Sequence, residues 1–235
     1  MPPESPFDRY AADYDKALDR GLSISGENKD YFARGRITWI ARRLRQLCVA
    51  PASVMDFGCG VGAAAPLLLD LLSAREVLGV EPSRLCVEEA RKMHAHGGIR
   101  FRTTDAYAPD GSFDLAYCNG VFHHIPAGER DAAVGYIFEA LRPGGLFALW
   151  ENNPWNPGTR LVMSRIPFDR DAVTLTPPHA RRLLRRGGFE IIRTDALFLF
   201  PGMLRCLRWI EPLVCRWPLG AQYMVLARKP ETVDP

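Results

Sequence analysis

An α/β fold with a doubly wound parallel sheet is predicted by three features of the 235-residue sequence. Short apolar runs alternate with stretches of helical period, the pattern of strand–helix–strand units with parallel strands. The first strong run, Val54-Met55-Asp56-Phe57, passes directly into Gly58-Cys59-Gly60-Val61-Gly62, where glycine permits positive φ and lets a ligand approach bare backbone. Asp56, Glu81 and Asp105 each close an apolar run. All three acids therefore fall at one edge of the sheet, where the ligand crevice of such folds opens.

The elements follow in order. Residues 1–53 have helical character without strong strands: Phe7, Tyr10 and Tyr14 recur at helical spacing, and a second helix is expected over 28–48. A strand over 54–57 leads into a helix over 62–72, with Pro66 in its first turn. Strands are expected over 77–81, 99–103, 113–118 and 146–150, and helices from 84 to about 93 and over 129–141. Arg142-Pro143-Gly144-Gly145 reads as a sharp turn. A helix over 177–186, stopped by Gly187-Gly188, precedes strands over 189–193 and 222–227.

Hydrophobic residues make up 47% and charged residues 24%, an ordinary globular balance. A net charge of +3 gives no argument for nucleic acid. No apolar run reaches the ~20 residues of a membrane span, and Met1-Pro2-Pro3-Glu4 does not read as a secretion signal. The six cysteines form no C-x-x-C pair and no zinc-ligand spacing, so no metal is expected and they read as reduced thiols of a cytoplasmic protein.

The run ending in Asp56-Phe57-Gly58-Cys59-Gly60-Val61-Gly62 resembles the first motif of the class I S-adenosylmethionine-dependent methyltransferases, a strand closing in Asp-x-Gly-x-Gly-x-Gly. Gly58, Gly60 and Ala63 also satisfy the dinucleotide fingerprint, with Glu81 placed as its ribose acid. Charge separates the two. A pyrophosphate over this loop would face Asp56, and no Lys or Arg lies between Ala50 and Leu72. The methyl donor has no phosphate, and its ammonium and sulfonium both gain from a carboxylate.

The resemblance implies a Rossmann-like sheet of seven strands, the last antiparallel, under an N-terminal helical lid. It implies a cap over residues 1–50 and a donor-binding domain over 51–235, with insertions at about 152–175 and 196–220. On it, Glu81 with Pro82 holds the ribose hydroxyls, and Asp105 with Ala106 the adenine. Asp56, Gly58, Cys59 and Gly60 line the methionine part, and Asn119 and Gly120 run beside the donor. Tyr14 lies on the lid, and Arg36, 20 residues before Asp56, reaches the donor carboxylate. Arg34, Arg42, Arg43 and Arg45 read as a solvated helix face.

In-line methyl transfer needs alignment and exclusion of water, and a base only when the nucleophile carries a proton. His124, ahead of its neighbour His123, and Glu151 are the candidates, one histidine of the pair being expected to face the cavity. The Asp/Asn-Pro-Pro-Tyr/Phe signature of base-amine methylation is absent after the fourth strand. That absence discounts methylation of nucleobase amines, and the expected reaction is O-methylation of a small molecule. The aromatic, arginine-bearing insertion suits an acceptor that is large and apolar, or contact with a membrane surface. An NAD-linked oxidoreductase and a non-catalytic donor-binding or membrane-associated protein stay open at this level.

Overall fold

The structure, a computed structural model, describes residues 21–166 and 172–231. Tyr14, with Phe7 and Tyr10, lies outside the described residues, as does part of the 152–175 loop. The sheet has seven strands in the order β3-β2-β1-β4-β5-β7-β6: β1 (Ser53–Phe57), β2 (Glu76–Glu81), β3 (Ile99–Thr103), β4 (Phe113–Asn119), β5 (Leu141–Asn152), β6 (Glu190–Leu197) and β7 (Gln222–Arg228). β1 to β5 run parallel, and β7 is antiparallel to both β5 and β6. The winding reverses between β1 and β4, and that switch point opens a crevice at the strands' carboxyl ends.

β1 is buried at every position, as a central parallel strand must be. Asp56 is the single charge within it. The next helix, α2 (Ala65–Leu72), starts three residues later than the pattern suggested, because Gly62 sits at φ +80° and Pro66 occupies the first turn. β5 begins earlier than expected. Leu141 already pairs with Phe113, and a bulge carries the register across Pro143-Gly144-Gly145 to Leu146 opposite Leu115.

One side of the sheet carries α1 (Lys29–Gln46) and α2, whose Ile37, Ile40, Leu44 and Leu68 pack with Val54, Leu115, Trp150 and Leu226. The other carries α4 (Arg130–Ala140) and α6 (Pro177–Arg186) over Phe122, Phe147, Leu149 and Tyr223. α1 is also locked electrostatically. Arg43 is buried, not solvated, and its Nε donates to Asp195 Oδ2 at 2.8 Å; Trp39 Nε1 donates to the same oxygen at 3.0 Å. The sequence did not show this pair, because Asp195 is 152 residues away on β6.

α3 (Arg84–His94) follows β2, with Ser83 Oγ accepting from Cys86 N at its start. A short α5 (Pro157–Met163) follows β5. Between β6 and β7 the expected insertion folds as a 3₁₀ segment, Gly202–Ile210, and a single turn, α7 (Glu211–Val214). Among the described residues no helix is long and apolar enough to cross a membrane.

Candidate active site

Two compartments meet at the carboxyl end of β4. The first is a cradle formed by the turn out of β1. Gly58 N and Cys59 N both donate to Val80 O, at 2.8 and 3.2 Å, which folds the loop against β2. Gly58 adopts φ +72°, and a Cβ there would overlap the Val121 side chain. Gly60 adopts φ +53°, and a Cβ there would meet nothing within 4 Å. The first glycine is thus required by the protein's own packing. The second faces open space, as a position kept clear for a ligand does.

Glu81, at the end of β2, is held by the loop and the following helix together. Its Oε2 accepts from Gly60 N and its Oε1 from Ser83 N, both at 3.1 Å, and it is buried. Asp56 is buried beside it, and its Oδ2 has no hydrogen-bond partner among the described residues. Burial pushes the Asp56 carboxyl up to about 7; the neighbouring Glu81 adds to that, and the Arg36 guanidinium opposes it. An orphaned buried carboxylate beside an open glycine is what a ligand bearing an ammonium and a sulfonium requires. The residues present fit S-adenosylmethionine.

Asp105 differs from the other two acids. It stands at the same edge, in the single turn Thr104–Ala106 after β3, but is exposed and pairs loosely with Arg84 at 3.4 Å. Hydrogen bonding to Thr103 and then the Arg84 contact hold its carboxyl below the usual range. Pro82 and Ala106 are likewise exposed.

The second compartment is a cavity of about 370 Å³ between α1, α5 and residues 198–201. Phe32, Val162, Met163, Ile166, Phe198 and Phe200 make most of its wall apolar. Arg36, Asn119 and Gly120 line it from the cradle side and so join the two compartments. Arg36 Nε donates to Tyr117 Oη at 3.2 Å and its Nη1 to Gln222 Oε1 at 3.0 Å, fixing the guanidinium where both ends meet. Asn119 Oδ1 is buried without a partner among the described residues.

His123 and His124 both line this cavity, where one was expected, with ring centroids 4.1 Å apart. Glu151 does not face it. Both its oxygens are engaged behind the histidine: Oε1 accepts from Phe122 N at 2.8 Å, and Oε2 lies 2.6 Å from His123 Nδ1. His123 and Glu151 are both buried. The hydrogen-bond partner of the carboxylate is His123, while sequence reasoning placed His124 ahead as a base. A carboxylate accepts only from a protonated nitrogen, so Nδ1 carries the hydrogen, and in the neutral imidazole Nε2 then holds the lone pair. Sequence reasoning missed this dyad because its members sit on different strand ends, 28 residues apart.

A protein-family model described as a methyltransferase domain matches residues 54–145. A Mycolicibacterium smegmatis protein named a probable S-adenosylmethionine-dependent methyltransferase is 30% identical over 203 residues, covering 81% of this chain and 73% of that one. A demethylmenaquinone methyltransferase of Thermus thermophilus is 32% identical, over 70% of this chain and 72% of its own. Among solved structures, an S-adenosylmethionine-dependent methyltransferase from Mesorhizobium loti superposes with a TM-score of 0.58 at 20% identity, covering 80% of this chain and 96% of that one. With this fold, this cradle and these relatives, the chain belongs to the S-adenosylmethionine-dependent methyltransferases, and S-adenosylmethionine is its cosubstrate.

Proposed function

We propose that the protein methylates a hydroxyl on an apolar small molecule held in the 370 Å³ cavity, with His123 as the general base. The observation that carries this reading is the buried His123–Glu151 pair at 2.6 Å, whose imidazole lines the cavity. A pre-formed base has work to do only if the acceptor must lose a proton as it reacts. An acceptor that was already an unprotonated amine would need none.

Within this reading each residue has a separable task. When bound, S-adenosylmethionine supplies a methyl group already activated by its positive sulfur. Asp56 and Glu81 hold the donor in the cradle, and Asp105 with Ala106 borders its adenine end. Arg36 and Asn119, at the junction of the two compartments, set the donor's carboxylate and methyl end against the acceptor. His123 Nε2 takes the proton of the acceptor hydroxyl as the new O–C bond forms. Glu151 holds the imidazole in the required tautomer and stabilises the imidazolium that results. The apolar wall excludes water, which would otherwise compete for the base. Residues 1–50 act as a cap on this site, a role supported by Arg36 reaching the cavity from α1.

The demethylmenaquinone relative supports a ring-bearing apolar acceptor. Incubation with label on the donor methyl and a panel of apolar phenols, quinols and amines tests the reading. Label is expected on oxygen, with transfer lost on His123→Ala. Transfer confined to nitrogen, or undiminished in that variant, overturns it.

A further inference from the structure

We propose that the segment over 202–219 and an arginine-lined groove beside it form one docking face for an anionic lipid bilayer, placed so that the acceptor enters the cavity from the membrane. The delivery clause rests on the apolar-acceptor reading, whereas the docking does not.

The 3₁₀ segment Gly202–Ile210 buries none of its residues. Met203 is 87% exposed, Trp209 71%, Leu213 75% and Trp217 62%, which is unusual for side chains of this size on one short stretch. Its charges are one-sided. Arg205 and Arg216 are exposed, while the only acid, Glu211, is turned inward to accept from Phe200 N at 3.1 Å and Phe198 N at 3.3 Å. Arg208 ties the segment to the cavity rim through Glu27 at 2.7 Å and the Tyr31 ring at 4.5 Å.

Beside it runs a groove of about 520 Å³ between α6 and the edge strand β6. Arg181, Arg185, Arg193 and Arg216 line it, and no acid does. Arg193 is paired with Asp195, but Arg181, Arg185 and Arg216 form no ion pair among the described residues. Thr194 also lines the groove, and its buried hydroxyl has no partner among the described residues. Trp155 stands exposed on the groove's wall. Its turn is fastened to the end of the insertion by Asn153 Nδ2, donating to Pro218 O at 3.0 Å, and Asn156 Nδ2, donating to Leu219 O at 2.7 Å.

Charge selects the occupant. An apolar patch alone would suit a protein or a second copy, but tryptophans flanked by free arginines match the headgroup level of an anionic bilayer. Continuity supplies the function. Residues 198–201 are both the cavity wall and the lead into the insertion, and exposed Ile24 lines the same cavity.

Co-sedimentation of the full chain with phosphatidylcholine vesicles, with and without phosphatidylglycerol, reads the docking without any methyl transfer. Its failure therefore leaves the catalytic reading untouched. Anionic vesicles are expected to bind about tenfold or more tighter than neutral ones, with the difference shrinking in high salt. The double change Arg181→Gln, Arg185→Gln should weaken binding about fivefold per arginine, the factor for about 1 kcal/mol. Trp209→Ser with Trp217→Ser should weaken binding to both vesicle types. Calorimetry with the demethylated product of the donor confirms that each variant is folded. Equal binding to both vesicle types, or binding that ignores the tryptophan pair, overturns the proposal on the wild-type chain or the variants respectively. So does a lipid-free dimer that the tryptophan changes dissolve, or inorganic phosphate retained in the groove with no vesicle binding.

Discussion

The glycine cradle and the apolar cavity touch at Asn119 and Gly120, yet they are built from different material. The cradle consists of strand ends and backbone: Gly58 N and Cys59 N on Val80 O, and Gly60 N on Glu81. Its geometry follows from the sheet, because parallel strands place their carboxyl ends together whatever their side chains. The cavity is walled by side chains from α1, α5 and the lead into the insertion, elements that only packing brings together. The same contrast holds for charge: Asp56 Oδ2 is buried without a hydrogen-bond partner among the described residues, whereas both oxygens of Glu151 are engaged.

Separating the two ends by mutation sharpens that contrast, and the largest effect belongs to the cavity. His123→Ala should lower kcat by about 10²- to 10⁴-fold while the affinity for the demethylated donor product stays within about twofold. Glu151→Gln should retain part of that activity and alter the pH–rate profile, since it keeps the shape but not the charge behind the imidazole. Equal losses in kcat and product affinity would show that the two ends are not separable.

Glu81→Ala breaks the cradle. It removes the acceptor of two backbone N–H groups together with the proposed ribose contact, so product affinity should fall about 30- to 100-fold, or about 2–3 kcal/mol. Isothermal titration at constant pH reads this directly. A change below about threefold would sink the ribose assignment.

Asp56 gives a pH signature. With its carboxyl at about 7, raised by burial, the folded state keeps a proton that the unfolded chain releases near 3.8. Stability without ligand is therefore lost as pH rises from about 4 to 7 and stays lower above that. Product affinity moves the opposite way, strengthening up to about tenfold between pH 6 and 8 as the carboxylate ionises against the ligand's ammonium. Asp56→Asn should flatten the affinity profile and raise the unliganded protein's stability at pH 8 by at most about 4 kcal/mol. Denaturant melts at pH 6 and 8 check both signs.

The smallest effect is expected at Asp105. It is exposed and screened by solvent, so Asp105→Ala should weaken product binding by no more than about fivefold. A loss as large as that of Glu81→Ala would mean that the adenine end closes more tightly than the exposed turn indicates.

Much of this was legible in the sequence. β1 and β2, which frame the cradle, are short apolar runs carrying an acid at or next to their ends, and these local patterns survive folding because both faces of a central parallel strand are buried. The seven-stranded sheet with its last strand antiparallel followed from the resemblance and agrees with the structure. Arg43 was misread as solvated because helical spacing records which residues share a face and not what a distant strand presents to it. Asp195, at the far end of the chain, decided its burial.

Local sequence determined the cofactor, since Asp56, Glu81 and the glycines lie within one strand–turn–helix unit and its neighbour. Only the tertiary structure decided the chemistry at the other end. It set Glu151 behind the His123 ring, and it gathered four arginines from α6, β6 and the insertion into one groove. The physical reason is range. Backbone turns and strand burial are dictated by neighbours a few residues away, whereas a proton relay or a basic groove depends on which strand ends and helices the sheet brings within a few ångströms.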